Sequence, residues 1–287
     1  MGSYPSASEP EILPPLSGNM PPPQPARKPR PSWAVAPATY ALVGINGAVF
    51  LAMLAHGISF WMPTVGQILH WGAENAGLVL LGGQWWRIVT AMFVHVGFWH
   101  ILLNMWCLWN LGLLAEPLMG SLGVVAVYVL TGAAGDLLST FANYWWYYPD
   151  WLKYHDVGVF PAGAGASGAI FGIAGALILL LKPSRLPMVP VREIKRLRQS
   201  VIYFAAINLV IGWGIFFGAA AIHSGMSIDN MAHMGGFTCG LLFAAPMVPR
   251  LGAPRQMFEA RLRVAVAMTV GLLVLFGFFL AQLAPQG

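Results

Sequence analysis

Four polar side chains, His100, Asn104, Ser167 and His233, sit in runs of sequence that are otherwise almost wholly apolar. A serine hydroxyl becomes a nucleophile when an imidazole takes its proton, and two further hydrogen-bond donors nearby would complete the minimum of an active site. Ser167 lies in GAGASGAIFG and His233 in NMAHMGGFTCG, each flanked by glycines, while His100 and Asn104 stand one helical turn apart in HVGFWHILLNM. Any such group costs free energy in hydrocarbon unless it is paired or functional. Asn110, Asp136, Asn208 and Asn230 complete this short set.

The glycines around Ser167 admit other readings. Gly163, Gly165 and Gly168 fit the dinucleotide spacing G-x-G-x-x-G, but that motif needs a preceding strand and an acid about twenty residues on. Here an apolar run continues to Leu181 and ends in Lys182-Pro183. Gly168, Gly172 and Gly175, with Ala164, Ala169 and Ala176, also suit close helix packing, which leaves Ser167 itself unexplained. Taken singly, a helical serine bonds back to its own backbone and a lone histidine makes an interhelical hydrogen bond.

The elements that must position these residues are membrane helices. The chain has 287 residues, 57% of them hydrophobic and 9% charged, with a mean hydropathy of +0.67, a surface suited to lipid. Seven runs have the length of a crossing: 37–55, 99–115, 118–141, 163–181, 200–222, 230–248 and 264–284. Every Lys and Arg except Arg87 and Lys153 falls on one side of this topology, which puts the N-terminus in the cytoplasm and the C-terminus outside. The formal charge of +5 then reflects topology, and no nucleic-acid partner is implied. Residues 1–36 hold ten prolines and read as a disordered cytoplasmic tail, without the pattern of a signal peptide; Glu9 and Glu11 argue against a mitochondrial transit peptide. Cys107 and Cys239 lie in apolar runs and read as small buried hydrophobes.

Two segments do not look like spans. Residues 56–98 are too apolar for a solvated loop and too broken by Gly and Pro for one helix; Trp61, Trp71, Trp85 and Trp86 suggest a structured element in the outer interface. Residues 142–161 carry the same aromatic signature and are expected to form a second loop at that face.

Under this topology the second, fourth and sixth spans all run from outside to inside. His100 and Asn104 lie near the start of the second, Ser167 about four residues into the fourth and His233 about three into the sixth. At ~1.5 Å per residue they share one level in the outer leaflet. The glycines beside Ser167 and His233 would let their helices approach to hydrogen-bonding distance of the side chains.

At these residues the chain resembles the rhomboid family of intramembrane serine proteases. Gly165-Ala166-Ser167-Gly168 is similar to the family's G-x-S-G nucleophile motif, and Ala232-His233 with Gly236 and Gly240 to its A-H-x-x-G-x-x-x-G motif. His95, His100 and Asn104 resemble the second-helix pattern, Trp86-Arg87 the W-R pair of the first outer loop, and Glu116 with Gly120 the turn to the third helix. The resemblance runs from about Ala38 to Pro246. Phe171 departs from it, standing where some members carry a tyrosine that stacks on the base; the ring is kept and the hydroxyl lost.

The resemblance implies an all-α, polytopic membrane bundle: a six-helix rhomboid core at 37–248, a basic cytoplasmic linker at 249–263 and a seventh transmembrane helix at 264–287. It implies a Ser167–His233 dyad, with the Ser167 N–H, His100 and Asn104 holding the oxyanion. His95, Gly165, Gly168, Phe171, Gly236, Trp86 and Arg87 would support the site, Arg87 by bracing the interfacial loop through backbone or carboxylate contacts. No metal or cofactor is implied. The partners would be membrane lipid and single-span membrane proteins cut near small residues and entering beside the fifth span, with a bacterial plasma membrane as the setting. The alternative is a catalytically silent, client-binding relative. An aspartyl protease needs a second acid beside Asp136, and a zinc protease an H-E-x-x-H helix, which this sequence lacks.

Overall fold

The computed structural model describes residues 36–222 and 229–283. The Pro-rich tail inferred for 1–36 lies outside them except for its last residue, as do the last residues of the seventh span. The described chain is a helix bundle with one two-stranded ribbon. Its helices are α1 (Pro37–Ala55), α2 (Val65–His70), α3 (Ala76–Leu80), α4 (Arg87–Thr90), α5 (Phe98–Tyr154), α6 (Ser167–Leu180), α7 (Val191–Ile222), α8 (Asn230–Ala244) and α9 (Arg255–Leu283); strands β1 (Glu74–Asn75) and β2 (Ala162–Gly163) form the ribbon.

Among the described residues α1, α5 and α9 are long and apolar enough to cross a bilayer. α5 holds the expected second and third spans, divided at Gly120, whose φ of 70° and ψ of 167° break the helix. The carboxyl of Glu116, one turn before this break, is the hub of the helix junction. It accepts the N–H groups of Ala38 (2.9 Å) and Thr39 (2.8 Å), the Thr39 hydroxyl (2.7 Å) and the Ser121 hydroxyl (2.6 Å). Two of these are orphan donors at the start of α1, so one buried side chain caps one helix and staples it to both arms of the next. At Gly120 itself an added Cβ would lie 3.1 Å from the Arg250 guanidinium.

The helices depart from the sequence reading in three places. The helix expected to give way to a loop near residue 141 runs to Tyr154, through Pro149. Of the rings expected in an interfacial loop, Tyr144, Tyr148 and Trp151 form the packing face of this extension, while Trp145 and Trp146 stay exposed. Tyr144 stacks on Phe160 and Tyr148 on Trp151, in a cluster that includes Leu280 and Phe276 of α9. Ser167 is the first residue of α6, not four residues inside it. The basic stretch before the seventh span is helical from Arg255 onward.

α6 and α8 form the centre. With 14 and 15 residues they measure roughly 21–23 Å, short of a ~30 Å hydrocarbon core. Irregular backbone at such depth is tolerated where protein buries it or a cavity meets it. Around them α1, α5 and α9 turn apolar side chains outward: Trp99, Leu103, Trp106, Leu275 and Phe278 are all more than half exposed, as a lipid-facing surface requires.

Glu116→Ala is expected to be among the more destabilising single changes in the bundle, because it strands two helix N–H groups and two hydroxyls in the interior. Thermal unfolding of the purified protein in detergent checks this; Glu116→Gln, which keeps two acceptor lone pairs, should fall between the variant and the parent.

Candidate active site

The backbone contact between α6 and α8 positions the site. A Cβ on Gly236 would overlap the carbonyl oxygen of Gly168, one on Gly240 that of Gly172, and one on Gly175 that of Phe237. Both helices therefore touch main chain to main chain, as small residues permit in membrane bundles. On the other side of α8, a Cβ on Gly235 would come within 2.8 Å of the Ala134 carbonyl of α5.

The segment leading into Ser167 is held by the first interfacial loop. β2 pairs antiparallel with β1, Gly163 opposite Glu74 and Ala162 opposite Asn75. Asn75 accepts the Leu78 N–H at the start of α3 (3.0 Å) and donates to the Phe160 carbonyl (2.8 Å). The Gly165 N–H donates to the Ala91 carbonyl at 2.9 Å. Gly165 has φ +119°, rarely open to L side chains, and a Cβ there would stand 2.5 Å from His100 Cε1. Arg87 braces the loop through backbone carbonyls, donating to Leu69 and Ala73 (both 2.7 Å) and to the Gln84 side chain (2.7 Å). Its guanidinium sits over the half-exposed Trp86 ring, 4.5 Å from the centroid. Neither residue lines the cavity described next.

That cavity, of about 380 Å³, is lined by His100, Asn104, Ser167, Phe171 and His233, and also by Asp229 and α7 residues Phe204 and Asn208. His233 is buried and stacks on Phe171, ring centroids 4.3 Å apart at 14°; its Nδ1 has no hydrogen-bond partner among the described residues. The Val96 N–H donates to His100 Nδ1 at 3.3 Å, which assigns the proton of the neutral ring to Nε2, the edge against Gly165. Asn104 Nδ2 is buried and without a partner among the described residues. Among the described residues no side chain caps α6, so the Ser167 N–H carries the partial positive charge of a helix start. The site thus presents several uncommitted donors beside one hydroxyl. The expected Ser167–His233 hydrogen bond is not formed among the described residues; such bonds are often long or poorly aligned before substrate arrives.

His95 stands behind the site, fully buried. The Ala166 N–H approaches its Nε2 at 3.5 Å and its Nδ1 lies 3.2 Å from the Phe93 carbonyl. Burial, with His100 nearby, pushes its pKa down to about 3, so the ring stays neutral and can accept. Gly165, Gly168 and Gly236 act through backbone fit and do not line the cavity.

A matching family model, the rhomboid domain, covers residues 82–250. The chain belongs to the rhomboid family. It is 28% identical over 233 residues to rhomboid protease GluP of Bacillus subtilis, covering 80% of this chain and 39% of that protein. It is 28% identical over 252 residues to rhomboid protease AarA of Providencia stuartii, covering 80% of this chain and 81% of that protein. RHOMBOID-like protein 1 of Arabidopsis thaliana is 30% identical over 171 residues, covering 60% of this chain and 36% of that protein. This rhomboid is an integral membrane protein with a helical core, as its composition indicates.

Sequence reasoning named Asp136 without a role and missed the two buried acids beside the site, Glu74 and Asp229. Glu74 accepts the Thr140 hydroxyl at 2.8 Å, and its Oε2 has no partner among the described residues. Asp229 caps α8, accepting the Ala232 N–H at 2.9 Å, and accepts the Ser139 hydroxyl of α5. Asp136, one turn before Ser139, leaves Oδ2 unpartnered among the described residues. An acid three residues before Ala232 is a recognisable cap signal; the meeting with Glu74, far away in sequence, carries no local signal.

Burial pushes the Glu74 carboxyl up to about 8, and the Asp229 charge adds to the rise, while the Thr140 hydroxyl and Arg87 oppose it. The folded protein therefore keeps a proton that the unfolded chain releases near 4.5. This contribution to stability is complete below that value and is lost as pH rises through about 8. The thermal midpoint should fall between pH 5 and 8, and Glu74→Gln, fixed in the neutral shape, should flatten the slope.

Proposed function

We propose that this rhomboid is an intramembrane serine endopeptidase with Ser167 as nucleophile and His233 as general base. The observation that carries the reading is the convergence of Ser167, His233, His100 and Asn104 on one cavity. In the reaction the Ser167 Oγ attacks the scissile carbonyl carbon as His233 takes the hydroxyl proton. The tetrahedral oxyanion would be met by the Ser167 N–H, His100 Nε2–H and Asn104 Nδ2–H, donors with which such a charge can be stabilised. Collapse expels the amine, which takes its proton from His233 and leaves an acyl-enzyme; water, deprotonated by the same imidazole, then releases the acid and restores the serine. Among the described residues no carboxylate is bonded to the His233 ring. Stacking on Phe171 would hold its plane instead.

The substrates on this reading are single-span membrane proteins whose helix unwinds near small residues, because a helical amide is closed by its own hydrogen bond. Access past α7, which contributes Phe204 and Asn208 to the cavity wall, suits a substrate arriving from the lipid. The distribution of basic residues supports a cytoplasmic N-terminus, an external C-terminus and a cavity in the outer leaflet. The division into a cytoplasmic tail, a core ending near residue 248 and an added seventh helix belongs to the same reading. One observation favours the rival, a catalytically silent client-binding rhomboid: Ser167 and His233 are not hydrogen-bonded here. Chemistry separates the two.

A fluorophosphonate probe should label the detergent-solubilised parent at Ser167. Ser167→Ala and His233→Ala should abolish labelling, and Asn104→Ala should slow it about 100-fold, the usual cost of an oxyanion donor. Equal labelling of parent and Ser167→Ala, or none of either, would favour the silent protein.

A further inference from the structure

A serine protease histidine usually needs a carboxylate at its second ring nitrogen to fix its position. Here the His233 Nδ1 has no partner among the described residues, and its stack on Phe171 fixes the plane of the ring without fixing the height of the helix that carries it. Something must hold the first turn of α8 against the rest of the bundle. Asp229 is placed to do so. Its carboxylate accepts the Ala232 N–H at 2.9 Å and its carbonyl accepts the His233 N–H at 3.2 Å. The other carboxylate oxygen accepts the hydroxyl of Ser139, on α5, which in turn accepts from Asn143 Nδ2 at 3.1 Å. Ser139 is buried, 1% exposed. The chain Asn143, Ser139, Asp229 thus ties the turn that carries His233 to the neighbouring helix.

The packing around this tie makes it the adjustable contact. Below it, the helices meet through backbone at Gly235 and Ala134, and a Cβ on Gly135 would stand 2.5 Å from the Ala232 carbonyl. These contacts limit how close α8 comes to α5, as those with α6 limit its approach there, and none of them is directional at the first turn of α8. A directed hydrogen bond at the helix end supplies what apolar contact lacks. Asp229 also lines the cavity with His233 and Ser167, and a Cβ on Gly163 would lie 3.5 Å from its Oδ2 and 2.9 Å from Glu74 Oε2. The same carboxylate is therefore next to the strand that leads into Ser167.

We propose that Asp229, tethered by Ser139, is the positioning residue for His233, doing through the backbone what a triad carboxylate does through the imidazole. The proposal rests on the protease reading above. It differs from ordinary capping in one respect: capping is satisfied within α8, whereas the tether crosses to α5 and sets where the imidazole stands relative to Ser167.

The test measures the inactivation rate constant and the apparent affinity of the fluorophosphonate separately, with thermal midpoints, for the full chain in detergent. Ser139→Ala removes the tether and leaves the cap; the maximal rate should fall about tenfold, since small displacements of a reacting group are costly, with probe affinity close to that of the parent and a thermal midpoint between those of the parent and Asp229→Ala. Asp229→Ala removes tether and cap and should be slower still and less stable. Asp229→Asn, as good a cap and able to donate its amide to Ser139, should recover most of the rate. Parental labelling by Ser139→Ala overturns the proposal, and so does a loss that appears as weaker probe affinity, or an Asp229→Asn as slow as Asp229→Ala. A parent that takes no label at Ser167 sinks the protease reading itself, which a parent labelled as fast as Ser139→Ala does not.

Discussion

The structure depends on two helices touching through their backbones. Where Gly236 and Gly240 of α8 meet the carbonyls of Gly168 and Gly172 of α6, there is no volume for a single methyl group. Lipid supplies no hydrophobic drive toward helix association, so dispersion between closely packed surfaces must hold the pair. That distance sets the separation of the helix that begins at Ser167 from the helix that bears His233. A bulkier side chain at Gly236 or Gly240 would wedge apart the two groups on which the proposed chemistry depends.

The central helices are also short. α6 starts at Ser167, at the cavity, with no side-chain cap. The backbone before it cannot be left loose, because unpaired amides at that depth are costly. The interfacial loop meets this need: a two-residue ribbon, the Asn75 bonds to Phe160 and the start of α3, and the Ala91 carbonyl on Gly165 account for the strand that leads into the site. Arg87, bonded to carbonyls of Leu69 and Ala73, stiffens the loop that does the holding. At the opposite junction Glu116 performs the same service for α1. In both places a buried polar side chain is engaged by backbone groups and by neighbouring side chains, which is what makes it tolerable in an apolar bundle.

The acids near the site follow a different logic. Glu74 and Asp136 each keep an oxygen without a partner among the described residues, and Glu74 is neutral over most of the physiological range because burial outweighs its bonds to Thr140 and its attraction to Arg87. Asp229, by contrast, has both oxygens engaged. The contrast between a carboxyl that stores a proton and one that spans two helices separates their roles better than their proximity does.

Much of this was readable in the chain. Hydropathy determined a helical membrane bundle, and the types and flanking glycines of Ser167 and His233, with His100 and Asn104 one turn apart, singled out four side chains that line one cavity, because a polar group in an apolar run is costly unless it is paired or functional. The sequence did not determine where helices end: the aromatic stretch after residue 141 looks like an interfacial loop until Tyr144 and Tyr148 are seen packed against Phe160 and Trp151. Nor did it reveal the braces. Glu74 with Thr140, Asp229 with Ser139, and Glu116 with Ala38 are joined across at least 66 positions of sequence, and no local period or spacing encodes such a partner. Local pattern determines what a residue prefers; only the folded bundle, by bringing distant backbone and side-chain donors within hydrogen-bonding reach, decides which acid each of them will serve.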